Sequence, residues 1–217
     1  RSTRALSSAA SDVYKRQDSG VTIPGENVWR NTACGASFYT FDSERYQMVT
    51  DFQRLRDMAA HVPYDHIYVL SNTQKYGGGG IFNFYGISAA HHPTRTGKIH
   101  VHEFGHLLLG LGDEYVGTTS YDDMYAKSIE PWEPNLTTLV GFEDKFWSRM
   151  VAEGTPVPTP DTEEYDGVVG VFEGGGYAAE GVYRPWRNCL MNNLHKTDEL
   201  CPVCSKAIVD YIDFLCK

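Results

Sequence analysis

The stretch His102-Glu103-Phe104-Gly105-His106, continuing as Leu107-Leu108-Leu109-Gly110, predicts a helix and assigns one face of it. Residues four apart in a helix stand one above the other, so His102 and His106 can aim two imidazole nitrogens at a single ion. Glu103 is turned by about 100° from His102. Its carboxylate can therefore reach a water on that ion without being a ligand, which is the division of labour a zinc hydrolase needs. Average residue usage would produce this five-residue pattern in on the order of 0.5% of chains of this length. Ile99, Val101, Phe104, Leu107, Leu108 and Leu111 keep the 3/4 spacing of a buried face. That stripe explains the leucines as core and leaves the His/Glu placement to the metal. The helix should start near Thr96 and stop at Gly110, a natural C-terminal glycine.

Catalytic zinc commonly takes three protein ligands and keeps a position open for water, so a further donor must come from outside the helix. Gly110 turns the chain back and brings Asp113 and Glu114 within reach. Many zincins end in Gly-x-x-His, and Gly110-Leu111-Gly112-Asp113 has an acid at that spacing. Asp113 is the preferred third ligand and Glu114 the alternative, with the other carboxylate orienting a ligand. Downstream, Cys189-Leu190-Met191-Asn192 resembles the methionine turn that underlies the metal in metzincins. Tyr183, placed before that turn, is a candidate for stabilising an oxyanion.

At 217 residues and 41% hydrophobic content, the chain can bury one good core. A net charge of −9 argues against nucleic acid as a partner. No run of 18 apolar residues is present to span a bilayer. Arg1 to Gln17 has neither the apolar region of a signal peptide nor any periodicity. Its end, Asp12-Val13-Tyr14-Lys15-Arg16-Gln17, resembles the translation of a transposon end used in sequencing adaptors. Residues 1–17 are therefore expected to be a non-native or disordered tail, and 18–217 an N-terminally truncated catalytic domain. The acidic run Asp161 to Asp166 is expected as solvated loop, with cation binding as the lesser alternative.

Along the chain, Ser37 to Thr40 should be a short strand, followed by a helix from Asp42 to about His61, with Phe41 stapling to Tyr46. His66 to Leu70 reads as a buried strand. Gly77 to Gly80 should close a loop before a strand over Ile81 to Tyr85. Glycines there permit close approach of another backbone, either as an edge that pairs with an extended peptide or as a mobile hairpin. Val116 to Ser128 and Pro131 to Thr138 read as irregular. A short helix is expected over Phe142 to Ala152, a long loop over 153–181, and a last helix from Pro202 to Leu215. That last helix should turn Val203, Ala207, Ile208, Tyr211, Ile212 and Leu215 inward.

Five cysteines, Cys34, Cys189, Cys201, Cys204 and Cys216, leave at least one unpaired within the chain. Cys201-Pro202-Val203-Cys204 at a helix start allows three readings. A redox pair lacks its βαβ setting. A structural disulfide from Cys189 to Cys201 or Cys204 suits a secreted protein and is preferred. A second zinc on Cys189, His195, Cys201 and Cys204 is the third.

A longer set of motifs carries a specific resemblance. It comprises Pro63-Tyr64-Asp65, Lys75 through Tyr85, Val101 through His106, Gly110 through Tyr115, and Glu130-Pro131-Trp132-Glu133-Pro134-Asn135. Glu173-Gly174-Gly175-Gly176-Tyr177, Tyr183-Arg184-Pro185 and Cys201 through Cys204 complete it. Together they resemble the bacterial IgA-peptidase family of zinc metallopeptidases over nearly all of Asp18 to Lys217. The resemblance implies an α/β (α+β) metzincin-like zincin domain with a small mixed sheet, an active-site helix and a C-terminal helix. It also implies one catalytic Zn2+, a secreted or cell-envelope setting, and endopeptidase action on protein or peptide substrates, host glycoproteins among them. The family's name does not assign immunoglobulin as the substrate. One departure is the three residues, not two, between His106 and Gly110, which keeps both Asp113 and Glu114 in contention. Competing functions are a zinc hydrolase of a non-peptide amide or ester, a non-catalytic glycoprotein-binding module, and a thiol oxidoreductase.

Overall fold

The computed structural model describes residues 18–117 and 124–217. The tail expected over residues 1–17, and part of the irregular stretch after Val116, lie outside them. The described residues form a mixed α/β structure with small sheets and three α-helices. They divide into two compact units, one ending at Phe104 and one beginning at Gly105, so that the boundary falls within a helix.

In the first unit, β1 (Ala36–Ser37) pairs antiparallel with β2 (Met48–Val49). Helix α1 (Phe52–Ala59) follows, and then β3 (Ile67–Ser71), β4 (Gly78–Ile81) and β5 (Tyr85–Ala89) make one sheet in the order β3-β5-β4. Strand β3 runs parallel to β5, while β4 runs antiparallel to it with Gly80 opposite Gly86. Phe38, Val49, Leu55, Tyr85 and Ile87 are buried together as the core. Burying each such side chain contributes about 1.5–3 kcal/mol. The Tyr85 hydroxyl accepts from the Val49 amide at 3.1 Å, which ties β2 to the sheet.

Two expectations are corrected here. The helix expected from Asp42 begins at Phe52, because Asp51 provides the cap and accepts from the Arg54 amide. Residues 46–49 are instead used in pairing, Tyr46 bridging to Gly78 and Met48 to Ser37. Phe41 and Tyr46 do touch, at 5.6 Å between ring centroids, without a helix to staple. Second, the last glycines are strand and Phe82 to Phe84 are the turn, with Asn83 in the left-handed region at φ 54°. A Cβ at Gly79 would lie 2.4 Å from the Gln47 carbonyl oxygen, so the glycines admit a neighbouring backbone. That neighbour also takes the outer edge of β4, since Gly78 donates to the Arg45 carbonyl and accepts from the Gln47 amide. An added peptide strand cannot pair at Gly78.

Helix α2 (Thr96–Leu109) ends as expected, with Gly110 at φ 61° donating to the His106 carbonyl. Beyond it, the second unit holds 3-10 turns over Phe142–Asp144 and Phe146–Met150 where a short helix is expected. Part of the expected long loop is a hairpin, β6 (Phe172–Gly175) with β7 (Ala178–Arg184). The run Asp161 to Asp166 is exposed apart from half-buried Tyr165, as expected of solvated surface, and within it Asp161 pairs with Arg184 and Arg187, and Asp166 with Arg187.

Helix α3 spans Pro202–Leu215, capped by Cys201. Its first half packs with Leu111, Trp147, Val171, Cys189 and Met191 through Val203, Cys204 and Ala207. Its second half departs from expectation, since Ile212 and Leu215 are 44% and 49% exposed. No helix of the described residues is long and apolar enough to cross a membrane.

Candidate metal centre

Helix α2 and the turn behind it place His102, His106 and Asp113 together on one continuous segment. Their ligand atoms all lie within 4.8 Å of one another, as donors around one ion would. His106 Nε2 is 3.3 Å from Asp113 Oδ1. The other ring nitrogen, Nδ1, meets the Leu111 carbonyl oxygen at 2.5 Å. A carbonyl only accepts, so Nδ1 carries the proton and Nε2 presents its lone pair to the Asp113 side. Two imidazoles and a carboxylate with one tautomer fixed by the backbone fit a divalent ion of the zinc type.

The carboxylate is fixed as well. Asp113 Oδ2 accepts from the Tyr177 hydroxyl, and the Asp113 carbonyl accepts from the Gly176 amide at 2.7 Å. Burial together with the Asp113 charge pushes the Tyr177 phenol upward, so it stays a donor. The turn itself is clamped by buried Asn135, whose Oδ1 accepts from the Gly112 amide at 2.7 Å. Its Nδ2 donates to the Gly112 carbonyl and to Glu114 Oε1, both at 2.9 Å. Met191 is fully buried, and the Glu114 amide donates to its carbonyl at 2.8 Å. A Cβ at Gly105 would stand 3.2 Å from Met191 Sδ, so glycine lets the methionine seat closely against the helix one residue before His106.

Glu103 is half-buried on the same helix as His102. A Cβ at Gly78 would lie 2.7 Å from both Cγ and Oε1 of Glu103, so the glycine strand leaves the space this side chain occupies.

The two acids that the sequence leaves in contention go to different places. Asp113 joins the histidines, while Glu114 is fully buried beside Cys189, Cys201 and Cys204. Burial pushes the Glu114 carboxyl well above the usual carboxylate range. The preferred disulfide is not formed, and all five cysteines are free. His195 is exposed and does not belong to the cysteine group. Tyr183 lies on β7 opposite Glu173, which raises its pKa after burial does.

Three contributors escape sequence reasoning: Gly78, Asn135 and Tyr177. Each lies inside a quoted motif, but nothing local links Tyr177 to Asp113 or Asn135 to Gly112. No curated protein matches this chain. A family model, IgA Peptidase M64, matches residues 11–166 and 161–212.

Proposed function

Since the chain belongs to the IgA Peptidase M64 family and is a peptidase, we propose that it is a zinc-dependent endopeptidase acting on extracellular proteins. The observation carrying this reading is the convergence of His102, His106 and Asp113 on one small volume. These three residues would hold the ion, which would supply Lewis acidity, lowering the pKa of a water towards about 7 and polarising the scissile carbonyl.

Glu103 accepts a proton from the attacking water and delivers it to the leaving amine nitrogen. Gly78 gives that carboxylate its room. His106 keeps its orientation through Leu111, and Asp113 keeps its own through Tyr177. Asn135 holds the turn that carries Asp113. Tyr183 is assigned to the oxyanion from its place before the methionine turn.

A zinc hydrolase of a non-peptide amide or ester would use the same ion, but peptidase family membership favours a protein substrate. The test is Glu103→Ala with casein as substrate. Hydrolysis should fall by about 10²–10⁴-fold or more, while bound zinc stays at the wild-type level. Undiminished hydrolysis would remove Glu103 from the mechanism.

A further inference from the structure

Outside the histidine site, the second unit contains another buried set of metal-ligating side chains. Glu114, Cys189, Cys201 and Cys204 place one ligand atom each within 4.8 Å of the others, and all four residues are buried. We propose that these four residues hold a second metal ion, a structural zinc, distinct from the one at His102, His106 and Asp113.

Distances decide between an ion and a bond. Cys189 Sγ and Cys204 Sγ are 3.8 Å apart. A disulfide needs about 2.05 Å. Two thiolates at about 2.3 Å from a tetrahedral zinc stand about 3.8 Å apart. Cys204 Sγ lies 3.2 Å from Glu114 Oε1, against about 3.6 Å for a sulfur and an oxygen sharing such an ion.

The surroundings also suit thiolates. The Cys201 amide donates to Cys189 Sγ at 3.2 Å, and the Cys204 amide to Cys201 Sγ at 3.4 Å. Backbone N–H groups thus point at two of the sulfurs, as the start of a helix allows. Glu114 Oε1 accepts from Asn135, but its Oε2 is buried with no hydrogen-bond partner among the described residues. A buried carboxyl oxygen left without a hydrogen-bond partner is satisfied when the group ionises against a cation.

Three sulfurs select a soft tetrahedral ion such as zinc over magnesium or calcium. On binding, the three thiols and the Glu114 carboxyl release their protons to solvent, so no oxidant or reductant is involved. Such an ion would join three parts of the second unit: the segment behind α2, the methionine turn and the start of α3. Glu114 adjoins Asp113 in sequence, so the ion would also anchor the peptide that presents Asp113.

This inference does not depend on the peptidase reading. The full chain carrying His102→Ala and His106→Ala is purified from zinc-supplemented medium, and its metal is counted and examined by zinc X-ray absorption. The wild type should hold about two zinc ions and the double variant about one, with sulfur scatterers near 2.3 Å. Adding Cys204→Ser should reduce the remaining zinc or replace one sulfur scatterer by oxygen. The absorption spectrum of the double-histidine variant decides even if the cysteine variant does not fold. A double-histidine variant without zinc, or with only nitrogen and oxygen around it, would overturn the assignment. So would a mass lower by two hydrogens that reports a Cys189–Cys204 disulfide. Catalytic failure with this zinc retained would count against the peptidase mechanism alone.

Discussion

Gly78→Ala tests the seating of the general base without touching a proposed ligand. The new methyl would lie 2.7 Å from Glu103 Cγ and Oε1, and 2.8 Å from the Ile87 carbonyl oxygen. Carbon atoms in ordinary contact stand about 3.5–4.0 Å apart, so the overlap is about 1 Å. Ile87 belongs to central strand β5 and is held between β3 and β4, so its carbonyl yields little. The Glu103 side chain is the part that moves. Overpacking of this kind costs about 1–3 kcal/mol. In a chain of this size each kcal/mol lowers Tm by about 2–4 °C, which gives a drop of about 2–12 °C. A 1 Å misplacement of a catalytic group costs about 10²-fold in rate. Steady-state hydrolysis of a fluorogenic peptide should therefore show kcat reduced about 10²-fold, with metal content unchanged. A kcat within about twofold of wild type and an unshifted melting curve would refute the argument, since the methyl would then have found room without displacing Glu103.

Tyr177→Phe removes the donor to Asp113 Oδ2 and should weaken metal retention about 10–100-fold; chelator competition measures it, and unchanged retention rejects the role. Tyr183→Phe should lower kcat by about 10²–10³-fold if its hydroxyl supports the oxyanion; full activity with zinc bound dismisses that assignment. Gly97→Ala, near the start of α2, meets nothing within 4 Å and should stabilise by about 0.4–1 kcal/mol. Its urea midpoint should rise while peptide hydrolysis is unchanged, and a lowered midpoint would contradict the open space.

Legibility in the sequence followed the range of the forces involved. Helix α2 and the start of α3 could be read because an apolar stripe, Gly110 and Pro202 act locally. The start of α1 is not legible locally because Asp42 and Asp51 are both competent caps, and the choice falls to strand pairing of residues 46–49 with distant partners. Four glycines look like loop by composition, yet Gly77 and Gly79 make room for the backbone of Arg45 and Gln47, and Gly78 for Glu103. At the site, His102, Glu103 and His106 share a helix and needed only its period. Tyr177 lies on a hairpin 64 residues from Asp113, beyond any local pattern. The spacing of Cys201 and Cys204 suited a redox pair, a disulfide and a metal alike. Glu114 joins them because the chain turns it away from the histidines.

Asp113 and Glu114 are neighbours that serve opposite sides of a single peptide. One meets His106 and the other Cys204. This makes the stretch from Gly110 to Glu114 behave like a reading frame. Losing one residue before Asp113 would bring Glu114 to the histidines, one methylene too long, and Tyr115 to the sulfurs, whereas gaining one would bring Asp113 to the sulfurs, one methylene too short, and Gly112 to the histidines. Asn135 grips both peptide groups of Gly112, so the slip could not be absorbed by relaxing the turn. Functional chains of this type should therefore vary in length on either side of these five positions and keep the count between them constant.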